Sequence, residues 1–317
     1  MGIQNFWTYP AVMATALAGT VAAGIVIAAD PTAQYPGDYY GRIDLPLTQA
    51  LAHVERLMDD TDNFEPLSQF SPKNRYRIMA SPIGRLDLLV RDGGEQYTSL
   101  CTGWVISQEY ILTNNHCIPG KKGQVLKASL VMNYLEEGDT GSVERFEVET
   151  QPVETSRELD YSIVRIHGNP AAKYGFIPMQ ARDADPGEEL FIIQHPAGKP
   201  KRLTRRNCRA DEDRERPEEL RHFCDTLGGS SGSPVFSDND MSVVGLHFAG
   251  IERKVNFAKR MTMIVQQSSI LRQLSEASKT ATRPERVAPP VPAPAASPPA
   301  APAPAGTSPG GWQSITQ

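Results

Sequence analysis

Cysteine is scarce. Four occur in 317 residues, with no C-x-x-C pair and no closely spaced Cys/His set, so a zinc site is not indicated. Cys117 does follow His116, but neighbours on a strand point to opposite faces. Basic charge is not in excess either: 32 Lys and Arg stand against 37 Asp and Glu, which removes the electrostatic case for nucleic-acid binding. The one basic run, KPKRLTRRNCR, passes straight into the acidic ADEDRERPEE and reads as a solvated surface loop. No motif for a cofactor occurs, and no internal repeat. The first ten residues hold no basic side chain, so the usual opening of an export signal is missing there.

Beyond those ten residues the chain runs uncharged and apolar from Ala11 to Ala29 and ends in small residues. Two readings stand. Residues 1–29 are a signal peptide cleaved near Ala28 to Asp30, which places the mature chain outside the cell or in the periplasm, or residues 11–29 are a retained membrane anchor. An even number of cysteines behind an export signal points to two disulfides.

Residues 30–77 form an N-terminal extension whose clearest feature is LPLTQALAHVERLMDD. Leu47, Leu51, Val54 and Leu57 follow helical spacing there, which predicts a short amphipathic helix outside the main core. From Pro82 onward the pattern changes to short apolar runs between turn residues, among them GRLDLLV, CTGWVIS, YILTNN, YSIVRIH, ELFIIQH and SVVGLHF. Many short strands at this spacing predict an all-β barrel or sandwich. The strands end at about residue 260, where Ile264, Val265, Ser268, Leu271 and Leu274 set out a helical stripe fit to pack back on the body. Residues 279–317 are a Pro/Ala-rich tail with too little apolar surface to offset chain entropy, and are expected to stay disordered.

A hydroxyl is a weak nucleophile until a base takes its proton, and the base needs an acid to fix its tautomer. Of six histidines, His116 alone adjoins a cysteine, at the end of the apolar strand YILTNNHC. A bridge from Cys101 to Cys117 would pin two adjacent strands and hold the turn of that histidine rigid. Asp160 stands directly before the alternating strand YSIVRI, where a turn residue and a catalytic acid are equally natural. Ser231 lies in GGSSGSPVF, where Gly228, Gly229 and Gly232 permit backbone torsions that let amides turn inward around a projecting hydroxyl. A plain Gly/Ser linker would not run straight into the core-like PVF.

In the order LTNNHC, LDYSIV and GGSSGSPVF, these motifs resemble those of the chymotrypsin-fold, trypsin-like serine endopeptidases. In detail GSSGSPVF and VVGLHFAG are most similar to the bacterial glutamyl-endopeptidase-like branch. The resemblance covers residues 78–278 and implies two six-stranded β-barrels with a C-terminal helix. It implies a triad of His116, Asp160 and Ser231 working through an acyl-enzyme, and an oxyanion hole of the Gly229 and Ser231 amides. It implies a monomer taking protein or peptide substrates, with no cofactor and no metal, and membrane contact only if the N-terminal segment is retained. The lipase-type elbow G-x-S-x-G does not fit, since position 233 is serine. A catalytically silent protease-like binding module is the alternative, although no triad member is missing.

By the same resemblance, Asp225, Thr226, His247 and Gly250 line the substrate site. Asp225 stands where trypsin-like enzymes hold Lys or Arg, whereas Thr226 and His247 match the pair with which glutamyl endopeptidases hold an acidic side chain. A charged residue is expected before the cut, with its sign open. Gly250 would offer the backbone edge for substrate. Cys208 and Cys224 would close the loop leading to Ser231. Processing at Arg77–Ile78 would remove residues 30–77, although Ser230 stands where animal enzymes carry the aspartate that receives a new N-terminus.

Overall fold

The structure, a computed structural model, describes residues 33–46, 55–56, 63–212, 216–251 and 254–281. The expected leader and the Pro/Ala-rich tail lie outside these. Among the described residues no helix is long and apolar enough to cross a membrane.

Alternation builds the first barrel. In the Ile83–Asp92 strand, Leu86, Leu88 and Val90 point into a core shared with Ile111, Leu130 and Val164, while Arg85 and Asp87 take the opposite face. The strands run in the order Glu144–Val148, Gln124–Met132, Ile83–Asp92, Glu95–Val105, Tyr110–Thr113, Tyr161–Arg165. An antiparallel bridge between Val148 and Ile166 closes this set of six into a barrel. Closure removes the exposed edges that an open sheet would leave.

The second barrel follows the order Glu219–His222, Val255–Arg260, Val243–Ile251, Pro234–Ser237, Leu190–Gln194, Arg202–Thr204. Bridges from Glu189 to Arg209 and from Ala210 to His222 complete its circuit. Leu190, Ile192, Leu220, Val235 and Val244 fill its interior. The all-β double barrel with a helical C-terminus therefore stands as the motifs implied.

Between the barrels lies a third cluster to which both contribute. Trp104 and Ile163 come from the first, Phe191, Phe236 and Leu246 from the second. Phe191 and Phe236 stack with ring centroids 4.7 Å apart. The C-terminal stripe also packs here, through Met261, Ile264 and Leu271. It forms two helices rather than one, Met261–Gln267 and Ser269–Ala281, broken where Ser268 turns extended at φ −78°, ψ 126°.

The N-terminal extension departs most from expectation. Leu67, Tyr76 and Ala80 are members of the inter-barrel core, and Arg75–Ala80 is a helix capped by the Asn74 side chain, which accepts from Tyr76 N at 2.9 Å. The expected boundary between residues 77 and 78 thus falls inside a helix, in a segment that shares the core. Ala33–Pro36 pairs with the Glu95–Val105 strand, and Glu65–Pro66 adds to Arg202–Thr204. Most of the predicted 47–57 helix lies outside the described residues. Its described part, Glu55–Arg56, is instead a short strand paired with Thr226–Leu227. Pairing with a neighbouring backbone, which a local pattern cannot announce, overrides the helical spacing there.

Candidate active site

The strand Tyr110–Thr113 delivers the chain to a turn in which Asn114 and His116 are tied to the Asp160 loop. Asn114 Nδ2 donates to Asp160 O at 2.8 Å, and His116 N donates to Asp160 Oδ1 at 3.0 Å. His116 Nδ1 lies 2.7 Å from Asp160 Oδ2. In a neutral ring, a carboxylate at that distance favours the proton on Nδ1 and leaves the lone pair on Nε2. Nε2 is buried and has no hydrogen-bond partner among the described residues. Asp160 holds this position with φ at +45°, a left-handed conformation that aspartate tolerates better than most residues. Thr155 braces the arrangement, accepting from Asn115 Nδ2 at 2.8 Å and donating to Tyr161 O at 2.9 Å.

Ser231 sits where two tight turns follow one another. Ser230 N donates to Leu227 O and Ser233 N to Ser230 O, both at 3.0 Å. The third position of each turn is a glycine with positive φ, Gly229 at +97° and Gly232 at +87°, as such turns require. Gly232 N is also taken, by His247 O at 2.9 Å. The amides of Gly229 and Ser231 make no such backbone bond among the described residues. The turn thus presents alternate N–H groups with no backbone acceptor, beside a Ser231 Oγ that is itself buried and unpartnered among the described residues.

One strand residue ties the two halves together. Thr102 N donates to Ser231 O at 2.8 Å, and Thr102 Oγ1 donates to Gly229 O at 2.9 Å. Its neighbour Cys101 is disulfide-bonded to Cys117, next to His116. From behind, Ala197 N donates to Gly228 O at 2.6 Å, and the fully buried Arg85 holds the same loop through Gly198 O at 2.8 Å. The second disulfide, Cys208–Cys224, closes the loop before the serine turn.

Around the expected pocket, Thr226 Oγ1 is buried without a partner among the described residues. Asp225 Oδ2 accepts from both Asn63 N at 3.1 Å and Asn63 Nδ2 at 2.8 Å. His247 Nδ1 lies 3.2 Å from His222 Nε2. Burial pushes His222 down to about 3, so this second ring is neutral at physiological pH. Gly250 lies on the Val243–Ile251 strand opposite Asn256, beyond a bulge at Phe248. Asn63, Thr102 and His222 were not read as site residues in the sequence. His222 carried a signal, since HFC places it two residues before Cys224. Asn63 and Thr102 carried none, because their partners are distant in the chain.

Residues 101–246 match the trypsin-like peptidase domain. The secreted RxLR effector protein 73 of Plasmopara viticola is 31% identical over 176 residues, which covers 47% of this chain and 41% of that protein. The glutamyl endopeptidase of Staphylococcus epidermidis is 28% identical over 205 residues, covering 61% of this chain and 70% of the relative. The chain therefore spans less than half the length of the first relative and about two thirds of the second. A solved Glu endopeptidase bound to MPD superposes with a TM-score of 0.50 at 18% identity, over 71% of this chain and all of that one. In fold the protein is a chymotrypsin-like double β-barrel. The match to the trypsin-like peptidase domain, residues 101–246, lies within this fold.

Proposed function

We propose that the chain is an exported serine endopeptidase with His116, Asp160 and Ser231 as its triad. The observation that carries the reading is the 2.7 Å contact of His116 Nδ1 with Asp160 Oδ2, which leaves a buried and unpartnered Nε2 to act as base. Ser231 Oγ attacks the scissile carbonyl carbon and its proton passes to His116 Nε2. Asp160 stabilises the imidazolium that forms. The oxyanion of the tetrahedral intermediate accepts from the amides of Gly229 and Ser231, which are preorganised and cost no reorganisation during the step. His116 then gives its proton to the departing amine, and water hydrolyses the Ser231 acyl ester by the same route in reverse.

The residue before the cut is acidic in this reading. Thr226 Oγ1 offers a donor with no acceptor of its own, and a buried group of that kind rewards a ligand that satisfies it. The carboxylate of Asp225, which would favour Lys or Arg, is engaged by Asn63. Similarity to proteins named glutamyl endopeptidase agrees with this sign. The test is fluorophosphonate labelling with cleavage-site profiling. The parent should label and cut after Glu or Asp, and Ser231→Ala should do neither. Equal labelling of that variant would discard the triad, and cuts mainly after Lys or Arg would discard the acidic pocket alone.

A further inference from the structure

A pocket of about 510 Å³ lies beside the Arg75–Ala80 helix, built by elements that carry none of His116, Asp160 and Ser231. Its lining includes three basic residues, Arg77, Lys173 and Lys201, and no Asp or Glu. Lys173 is spoken for, being ion-paired with Glu144. Arg77 feels the charge of Glu136 without forming an ion pair. Lys201 is only 1% exposed, and its Nζ donates a single hydrogen bond, to the neutral Ala80 O at 2.7 Å. Arg77 Nη1 is buried with no partner, and neither residue makes an ion pair among the described residues.

Burying an ammonium against one neutral carbonyl is costly, and buried charges are ordinarily paired or bound to a ligand. Burial, with the nearby charge of Arg77, pushes Lys201 down to about 7. Arg77 lies within electrostatic reach of the Glu136 carboxylate but makes no ion pair with it among the described residues, and an anion between the neighbouring Arg77 and Lys201 cations would relieve their mutual repulsion. A guanidinium matches two oxygens of one ligand while an ammonium serves a third as a point donor.

We propose that this pocket is a binding site for a small oxyanion, with Arg77 and Lys201 as its charged donors. Ser81 and Asn133 complete the polar part of the lining, and Ile78, 57% exposed, stands in the same lining. Two sources share the chemistry: a tetrahedral inorganic anion, and a carboxylate such as a peptide C-terminus. The proposal stands apart from the catalytic reading, because the site would bind with the triad disabled.

Isothermal titration calorimetry of the full chain at pH 6, in chloride buffer of matched ionic strength, tests it with sulfate and acetate as separate probes. Saturable 1:1 binding of at least one is expected, and which one it is identifies the source. Lys201→Met and Arg77→Gln should each weaken that binding at least tenfold while still labelling at Ser231. If Lys201→Met does not fold, the half-buried Arg77→Gln decides. Absence of saturable binding by the parent, or unchanged affinity in the folded variants, overturns the site.

Discussion

Thr102 Oγ1 donates to Gly229 O at 2.9 Å while accepting from His195 N at 3.2 Å. The side chain therefore orients the peptide whose neighbouring amide is the proposed oxyanion donor, without touching substrate. Thr102→Val keeps the shape and removes the donor. Turnover should fall roughly tenfold with KM little changed, as for a loss felt only in the transition state. Thr102→Ser should restore it. A rise in KM at constant kcat would place Thr102 in substrate binding instead.

The Cys101–Cys117 bridge closes a separation of 16 residues. Replacing both cysteines by alanine should cost about 3 kcal/mol, mainly by freeing the unfolded chain. Urea unfolding monitors this directly. Fluorophosphonate labelling should also slow in folded protein, since the bridge stands between the Thr102 anchor of Ser231 and the turn of His116.

In the pocket, Asp225→Asn separates the two signs of specificity. Removing this carboxylate relieves repulsion of an acidic ligand but abolishes attraction of a basic one. Cleavage after Glu should be retained or rise in kcat/KM, and Thr226→Val should lower it by about tenfold through the lost hydrogen bond. Loss of cleavage in Asp225→Asn would reverse the assignment.

Acid should loosen the second barrel at a defined place. Arg182 and Ser237 hydrogen-bond to the buried Glu188, and Asp185 N does so at 2.7 Å, with the result that its pKa is held down at about 2. The folded value lies below the unfolded one, so the contribution is complete above pH 4.5 and fades as pH falls toward 2. It amounts to about 3 kcal/mol. Glu188→Gln should lose stability at pH 7 yet approach the parent near pH 2, as chemical denaturation at the two pH values would reveal.

His222 acts with the same sign over a higher range. It must stay uncharged in the fold, with a value near 3 against 6.5 in the open chain, so folded protein binds fewer protons between those limits. Stability falls as pH drops through 6.5. His222→Asn should flatten the parent's melting-temperature profile between pH 7 and 4.

Legibility in the sequence followed the range of the interactions. His116, Asp160 and Ser231 stood out because each lies in a local setting that its chemistry demands: a strand end, a turn before an alternating strand, and glycines in the tight turns of 228–233. The barrels were legible through period-two alternation in segments such as Ile83–Asp92. What escaped was set by distant backbone. Glu55 and Arg56 sit in a helical pattern but pair with Thr226 and Leu227. Asn63 meets Asp225 across 162 positions of chain. The engagement of Asp225, which bears on the sign of the pocket, was for that reason invisible in the motif that contains it.

The stretch ahead of Arg77 is stitched to the body in three places, at the Glu95–Val105, Thr226–Leu227 and Arg202–Thr204 strands, and Tyr76 anchors it in the core. A single nick between Arg77 and Ile78 would therefore create a split protein rather than a shortened one. The halves would comigrate in native separation and part only in denaturant. Each would carry half of a helix whose other half is needed to refill the cavity left by Tyr76 and Ala80.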